Sequence, residues 1–380
     1  MISEKMIIQK IKKKFLRQYH KLFPVKLDKF WDKIKHLPSI DQDLKFITDT
    51  FIPSKSYSLI SRYWHILGIR NYKSLVHDGF KKYGSSIARN YYGFYDLFDD
   101  WVEGAMNKVQ NDNLIKGDIE LFKKQNNFTF RESIFYNYLC VLLYYNLKKT
   151  DSFNFLPQLQ DKTYIGFDDP YIKINDVNIT LDKLVSLFDY DKIKSNFEIK
   201  KSNKILEIGA GAGRVSEVLM TLHKDINYVV CDIPPALYIS YKRLKLAFPE
   251  KKIKLIIDID DPIMLEKEIN SNDISFIFPH QLEKIKKKFF NLTLALDCLH
   301  EMDKKTISYY FDIINNITEN FYFTIWASTY LPYSKKILKK LVRLSYESGD
   351  YNIPKNWSLI SKEKVIFPSN FLSLAYKITD

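Results

Sequence analysis

Cysteine, glycine and proline are all scarce in this chain of 380 residues, with 3 Cys, 11 Gly and 13 Pro. So little glycine and proline excludes a collagen-like or low-complexity protein. The cysteines, Cys140, Cys231 and Cys298, are odd in number and far apart, and no pair has metal-ligand spacing. They form no disulfide framework, and a reducing cytoplasm is the expected compartment. Long apolar runs are missing too. The longest, residues 136–147, carries Asn137 and Asn146 and falls short of the ~18–20 apolar residues a bilayer span needs. The N-terminus has no signal-like stretch, because Met6 to Ile8 lead into Lys10, Lys12, Lys13 and Lys14.

Aromatic residues are abundant: 27 Phe and 26 Tyr among 46% hydrophobic residues can bury a large core. That excludes a disordered chain. At ~100–200 residues per domain, the length predicts two domains. The net charge of +13 is local. Residues 1–40 hold eleven basic side chains against Glu4, Asp28 and Asp32, which is +8 in forty residues and leaves +5 for the rest. Such a bias suits an acidic partner such as nucleic acid, anionic lipid or a nucleotide-linked substrate, or is a solvated lysine-rich face.

Residues 1–160 read as a mostly helical N-terminal domain. Ile7, Ile11, Phe15, Tyr19 and Leu22 recur at helical spacing with lysines opposite, and Pro24 follows. This amphipathic helix could dock on its own domain or make peripheral contact with a membrane. Residues 131–148 are apolar on nearly all sides, as in a buried helix. Aromatics crowd between Tyr57 and Trp101, including Tyr63-Trp64; they are core or the lining of a sugar or nucleoside pocket.

Residues 161–200 form a connecting segment. A turn-rich loop over residues 166–170 precedes a hairpin of residues 171–174 and 177–179, and Thr180 is placed to cap a helix. From 201 to 380, strands at 204–208, 228–231, 274–278, 292–296, 321–326 and 371–375 alternate with helices at 214–223, 235–248, 304–319 and 334–347. This alternation predicts an α/β domain with a mostly parallel, Rossmann-like sheet and helices on both faces.

The strongest local signal is Glu207-Ile208-Gly209-Ala210-Gly211-Ala212-Gly213-Arg214, between a strand and a helix. Glycines there let backbone approach a ligand, and the helix N-terminus adds amide donors. A dinucleotide fingerprint would place glycine or alanine at position 214, where Arg214 stands. The third glycine is instead Gly213, an arrangement that resembles motif I of S-adenosylmethionine-dependent methyltransferases. Asp232 ends the next strand, where a carboxylate accepts from ribose hydroxyls. Glu207 either serves the cofactor's amino end through water or caps a turn. Pro279-His280-Gln281 follows the third strand, on the side expected for adenine.

Three strings occur in order: residues 209–214, Asp232-Ile233-Pro234-Pro235-Ala236-Leu237, and Leu299-His300-Glu301-Met302. Together with the 166–170 loop and the hairpin before them, they resemble the bacterial putative sugar O-methyltransferase family, from about residue 160 to 330. The resemblance implies a class I S-adenosylmethionine-dependent methyltransferase fold, with Glu207, Gly209, Gly211, Gly213, Asp232, Ile233 and Gln281 holding the cofactor. It implies methyl transfer to a sugar hydroxyl, free as a nucleotide sugar or within a surface glycan.

Asp297, His300 and Glu301 follow the fourth strand and emerge where ligands sit in open parallel sheets. His300 suits a general base near neutral pH, oriented by Glu301 or Asp297. Asp297 could instead cap the following turn or hold Mg2+ with another carboxylate. Asp168 and Asp169 either close over the acceptor or merely form the turn before Pro170. The charge raises RNA methylation as an alternative. Amino-methylating enzymes of DNA usually carry Asp/Asn-Pro-Pro-aromatic where this chain has Asp297-Cys298-Leu299-His300, and nothing resembles a separate RNA-binding module. A non-catalytic binding protein is the third reading, which the intact glycine loop and Asp232 oppose.

Overall fold

The computed structural model describes residues 26–92, 123–126, 128–159, 167–174, 177–326, 328–330, 343–345, 351–365 and 371–379. The amphipathic helix expected at 4–23, the aromatics beyond 92, Gly166 and most of the helix expected at 334–347 lie outside them.

The helical region comprises α1 (Leu27–Ile34), α2 (Gln42–Phe51), α3 (Arg62–Tyr92) and α4 (Phe130–Leu147). Its helices begin where the sequence supplies caps. Asp41 accepts from the amides of Asp43 and Leu44 at the start of α2. Thr129 and Glu132 form a reciprocal capping box at α4, and each such cap contributes about 1 kcal/mol. Helix α3 bends at Gly79, whose φ of 75° no helix interior holds. Helix α4 is buried around most of its circumference, as its all-round apolar character predicts. The hairpin β1 (Ile172–Ile174) and β2 (Val177–Ile179) leads into α5 (Leu181–Asn196), capped by Thr180.

The sheet domain then runs β3 (Lys204–Ile208), α6 (Arg214–Leu222), β4 (Asn227–Cys231), α7 (Ala236–Ala247), β5 (Ile253–Leu255), α8 (Pro262–Ser271), β6 (Ile274–Ile277), β7 (Leu292–Leu296), α9 (Lys304–Ile317) and β8 (Asn320–Trp326). It ends with β9 (Ser328–Tyr330), β10 (Arg343–Ser345), β11 (Trp357–Lys364) and β12 (Phe371–Ile378). The eight-stranded order is β5-β6-β4-β3-β7-β8-β12-β11. Pairs from β5 through β8 are parallel, while β12 runs antiparallel to β8 and β11. The central strands β3, β6 and β7 read as short apolar runs because helices cover both faces. The winding reverses between β3 and β7, and such a switch point opens a ligand crevice at the strands' carboxyl ends.

Two expectations change. Residues 343–345 are extended and pair with β9, so the helix expected at 334–347 does not hold there; strand pairing overrides the local helical pattern. The edge strands β5 and β11 went unread because their largely exposed residues carry little apolar alternation, and helix α8 went unread as well. The helical region and the sheet share one buried apolar cluster, which runs from Leu27 and Phe51 through Leu139 and Leu184 to Val230 and Phe276. Polar ties add to it. Ser56 Oγ lies 2.8 Å from His280 Nδ1, and Lys55 Nζ reaches both Glu283 oxygens at 2.6 and 2.7 Å. Among the described residues no helix is long and apolar enough to cross a membrane.

Candidate cofactor and active site

Strand β3 ends at Ile208, and the chain turns at once, with Gly209 N donating to Cys231 O at 2.9 Å. Gly209, Gly211 and Gly213 take φ of 72°, 59° and 74°. Three left-handed residues in five would cost any other side chain about 1–2 kcal/mol each. Space also excludes a side chain at Gly209, where a Cβ would lie 2.6 Å from Cys298 Cβ. The glycine therefore lets the turn after β3 press against the turn after β7. At Gly211 no protein atom stands within 4 Å of that position, and the residue lines a cavity of about 220 Å³.

Asp232 follows β4 and is 8% exposed. Its Oδ2 accepts from Gly211 N at 2.8 Å and its Oδ1 from Ile233 N at 2.7 Å. Burial pushes the carboxyl up to about 7, against those two amides. Asp232, Ile233, Gly209 and Gly211 all line the cavity. The carboxylate thus braces the loop and faces the space beside it, which fits a ribose-bearing cofactor: open backbone on one side, an anionic acceptor on the other.

Gly213 stands behind the loop as the N-cap of α6, close to Ser240. Glu207 is buried at 2% exposure and accepts from Ser216 Oγ at 2.5 Å and Tyr228 Oη at 2.7 Å. These bonds tie α6 and β4 to β3, and burial raises its pKa. Gln281, expected at the cofactor, is fully buried, takes Phe278 N on Oε1 at 2.8 Å, and donates through Nε2 to Ile256 O and Ile259 O at 2.8 and 2.7 Å. Its amide bonds three backbone groups and so locks the turn after β6.

Beyond β7, Asp297, His300 and Glu301 line the same cavity. Asp297 has a left-handed φ of 56°. Its Oδ1 accepts from Thr324 Oγ1 at 2.6 Å, and its Oδ2 meets Arg214 Nη2 at 3.1 Å. Arg214 also reaches Asp189 Oδ2 at 2.5 Å, so the residue that broke the dinucleotide pattern joins α6 to α5 and the β7 turn. His300 lies edge-on to Phe371 at 5.2 Å, and burial pushes its imidazole down to about 3. Burial thus opposes protonation at His300, the residue expected to serve as a base near neutrality. Glu301 is half-buried, and desolvation raises its carboxyl to about 8.

Sequence reading missed the cavity's other wall. Leu59, Ile60, Ser61 and Trp64 come from the helical region. The Tyr63-Trp64 pair stood out as aromatic, but nothing local tied it to a site some 240 residues away in the chain. Arg243 was missed as well. It is 1% exposed and lies 3.1 Å from Asp182, 3.3 Å from Glu217 and 3.6 Å from Asp169, fastening the 167–170 loop and α5 to α6 and α7. Among the described residues no three potential metal ligands cluster.

The strand order and the helices on both faces give the chain a Rossmann-like α/β fold, with the glycine loop at its switch point. No protein-family profile matches the chain, and no curated protein matches it in sequence. Among solved structures it is similar to the pyocyanin biosynthetic protein PhzM, at 9% identity and a TM-score of 0.32 over 50% of this chain and 53% of that one. It is also similar to an S-adenosylmethionine-dependent methyltransferase from Clostridium acetobutylicum, at 12% identity and 0.34, over 52% and 91%. PigF with SAH gives 10% identity and 0.33, over 52% and 57%. At such identities and scores these likenesses carry no weight for chemistry.

Proposed function

We propose that this protein is an S-adenosylmethionine-dependent O-methyltransferase acting on a hydroxyl of a sugar, either nucleotide-linked or within a surface glycan. One observation carries the reading: the glycine loop and Asp232 open onto the same cavity as the Asp297–Glu301 turn, at the switch point of the sheet. Gly209 and Gly211 would hold the cofactor's backbone-facing side, Asp232 its ribose hydroxyls, and Ile233 its base. Glu207 and Gly213 would act behind them by fixing the loop.

When bound, the cofactor supplies a methyl group on a sulfonium, whose departing sulfur keeps the bonding pair. The chain's own residues must align the acceptor, exclude water and remove its proton, and alignment supplies much of the rate. Asp297, His300 and Glu301 are the groups placed for proton removal. The N-terminal region, through Leu59, Ile60 and Trp64, would form the acceptor side and lid. The sugar part rests on the D-I-P-P-A-L and H-E-M strings and their resemblance. Three buried free thiols suit a cytoplasmic location. Labelled donor incubated with nucleotide sugars and glycan extracts, with and without chelator, tests the reading. Label transferred to one sugar class supports it, and transfer to RNA alone would overturn the acceptor assignment.

A further inference from the structure

The wall that the helical region gives the cavity is one short stretch of chain. Leu59, Ile60, Ser61 and Trp64 line it, and they continue directly from a short 3₁₀ helix, Lys55–Leu59. That helix is tied to the sheet domain at the turn after β6. Ser56 is fully buried. Its Oγ accepts from His280 N at 2.9 Å and lies 2.8 Å from His280 Nδ1. The hydroxyl keeps its own proton to give, and His280 Nε2 faces Asp260 Oδ1 at 3.5 Å, so Nδ1 is the accepting nitrogen. Serine and histidine therefore bond each other twice, once in each direction. Lys55 Nζ meets both Glu283 oxygens at 2.6 and 2.7 Å, and the rings of Phe51 and Phe278 stand 5.1 Å apart across the same border.

We propose that the Ser56–His280 pair is a latch that holds the stretch from Leu59 to Trp64 against the cofactor cavity and sets how fast the cofactor enters and leaves. This deepens the methyltransferase reading and rests on it. Size calls for an opening. The cavity measures about 220 Å³, whereas sites for small molecules and cofactors run to about 300–1,000 Å³, and here a donor and an acceptor must fit together. The sheet side is the fixed wall. Its glycine loop, Asp232 and the turn after β7 are carried by β3, β4 and β7, which are hydrogen-bonded neighbours at the centre of the sheet. The wall that can swing is the helical stretch, and the latch stands at its foot.

Pro279 lines the cavity, but Ser56 and His280 do not. They are positioning residues, which act on the cofactor only through the stretch they hold. The latch joins protein atoms alone, so it favours the closed form by the same amount with the cofactor in place or absent. Losing it speeds entry and exit together and leaves the equilibrium affinity where it was. A side chain that touches the cofactor behaves otherwise, because its loss changes exit far more than entry.

Stopped-flow tryptophan fluorescence of the full chain with S-adenosylhomocysteine gives both rates. Ser56→Ala and His280→Ala should each raise the association and dissociation rates by about tenfold, with Kd within about threefold of wild type. His280→Asn keeps the backbone N–H and puts an acceptor oxygen in place of Nδ1, so both of its rates should stay within about threefold of wild type. Hydrogen exchange of the wild type without ligand adds a second readout. The amides of Tyr57 and Ile60, bonded to Ser54 O and Tyr57 O, should exchange at least about tenfold faster than those of β3 and β4, with no dependence on low denaturant. Unchanged rates in both alanine variants overturn the latch, as does faster exit with entry unmoved. Exchange of Tyr57 and Ile60 at the pace of β3 and β4 also overturns it, since the stretch then opens only when the whole chain unfolds. Exchange needs no cofactor, so that result bears on the latch alone. Failure of the folded wild type to bind S-adenosylhomocysteine would instead sink the methyltransferase reading.

Discussion

Replacing Gly209 with alanine probes how the two halves of the site are pressed together. The residue has φ of 72°, and the added Cβ would sit 2.6 Å from Cys298 Cβ and 2.9 Å from its sulfur. The left-handed backbone costs about 1–2 kcal/mol for alanine, and overpacking a rigid turn costs about 1–3 kcal/mol more. The expected loss is thus about 2–5 kcal/mol in urea unfolding. The clash is with one side chain, so Cys298→Gly should relieve part of it. A double-mutant cycle of Gly209→Ala and Cys298→Gly should return a coupling of about 1–3 kcal/mol. Donor affinity should fall in Gly209→Ala, because Gly211 and Asp232 are held by the same loop. A coupling within about 0.5 kcal/mol of zero would refute the close packing of the two turns.

Arg243→Met removes the cation shared by Asp169, Asp182 and Glu217, and should cost about 3–5 kcal/mol in chemical unfolding. Gln281→Ala orphans Phe278 N, Ile256 O and Ile259 O, so stability should drop by about 2–4 kcal/mol while donor affinity changes less than about threefold; a large affinity loss at full stability would restore its cofactor role. Stability of the cofactor-free protein should decline between pH 6.5 and 8, seen as a falling Tm. Burial raises Asp232 to about 7 and Glu301 to about 8, so in this window the native state holds protons the unfolded chain has already lost. Binding of S-adenosylhomocysteine should flatten that slope if it ionises Asp232.

What could be read from the sequence was local. Strand β3, its glycine loop and α6 announce themselves within a dozen residues, because turn chemistry and apolar periodicity are short-range signals. The same holds for Thr180 capping α5 and for the β1–β2 hairpin. Contacts closed by the fold were illegible. Nothing near Arg243 predicts that three carboxylates from three segments converge on it, and nothing near Trp64 points to the cavity it lines with Glu301. The place of Gln281 after β6 suits adenine, while the bonds its amide makes to backbone on both sides are not displayed by the sequence. Nor is the burial that lowers the pKa of His300.

The account depends most on Asp232 and the glycine loop holding an adenosyl cofactor. Calorimetric titration of S-adenosylhomocysteine into the wild type and into Asp232→Ala tests this directly. Losing the acceptor for two ribose hydroxyls should cost about 2–4 kcal/mol, a drop in affinity of about thirtyfold or more. The wild type should bind at one site and the variant far more weakly, with its fold intact. Equal affinity in the two proteins, or no heat from the folded wild type, would contradict it.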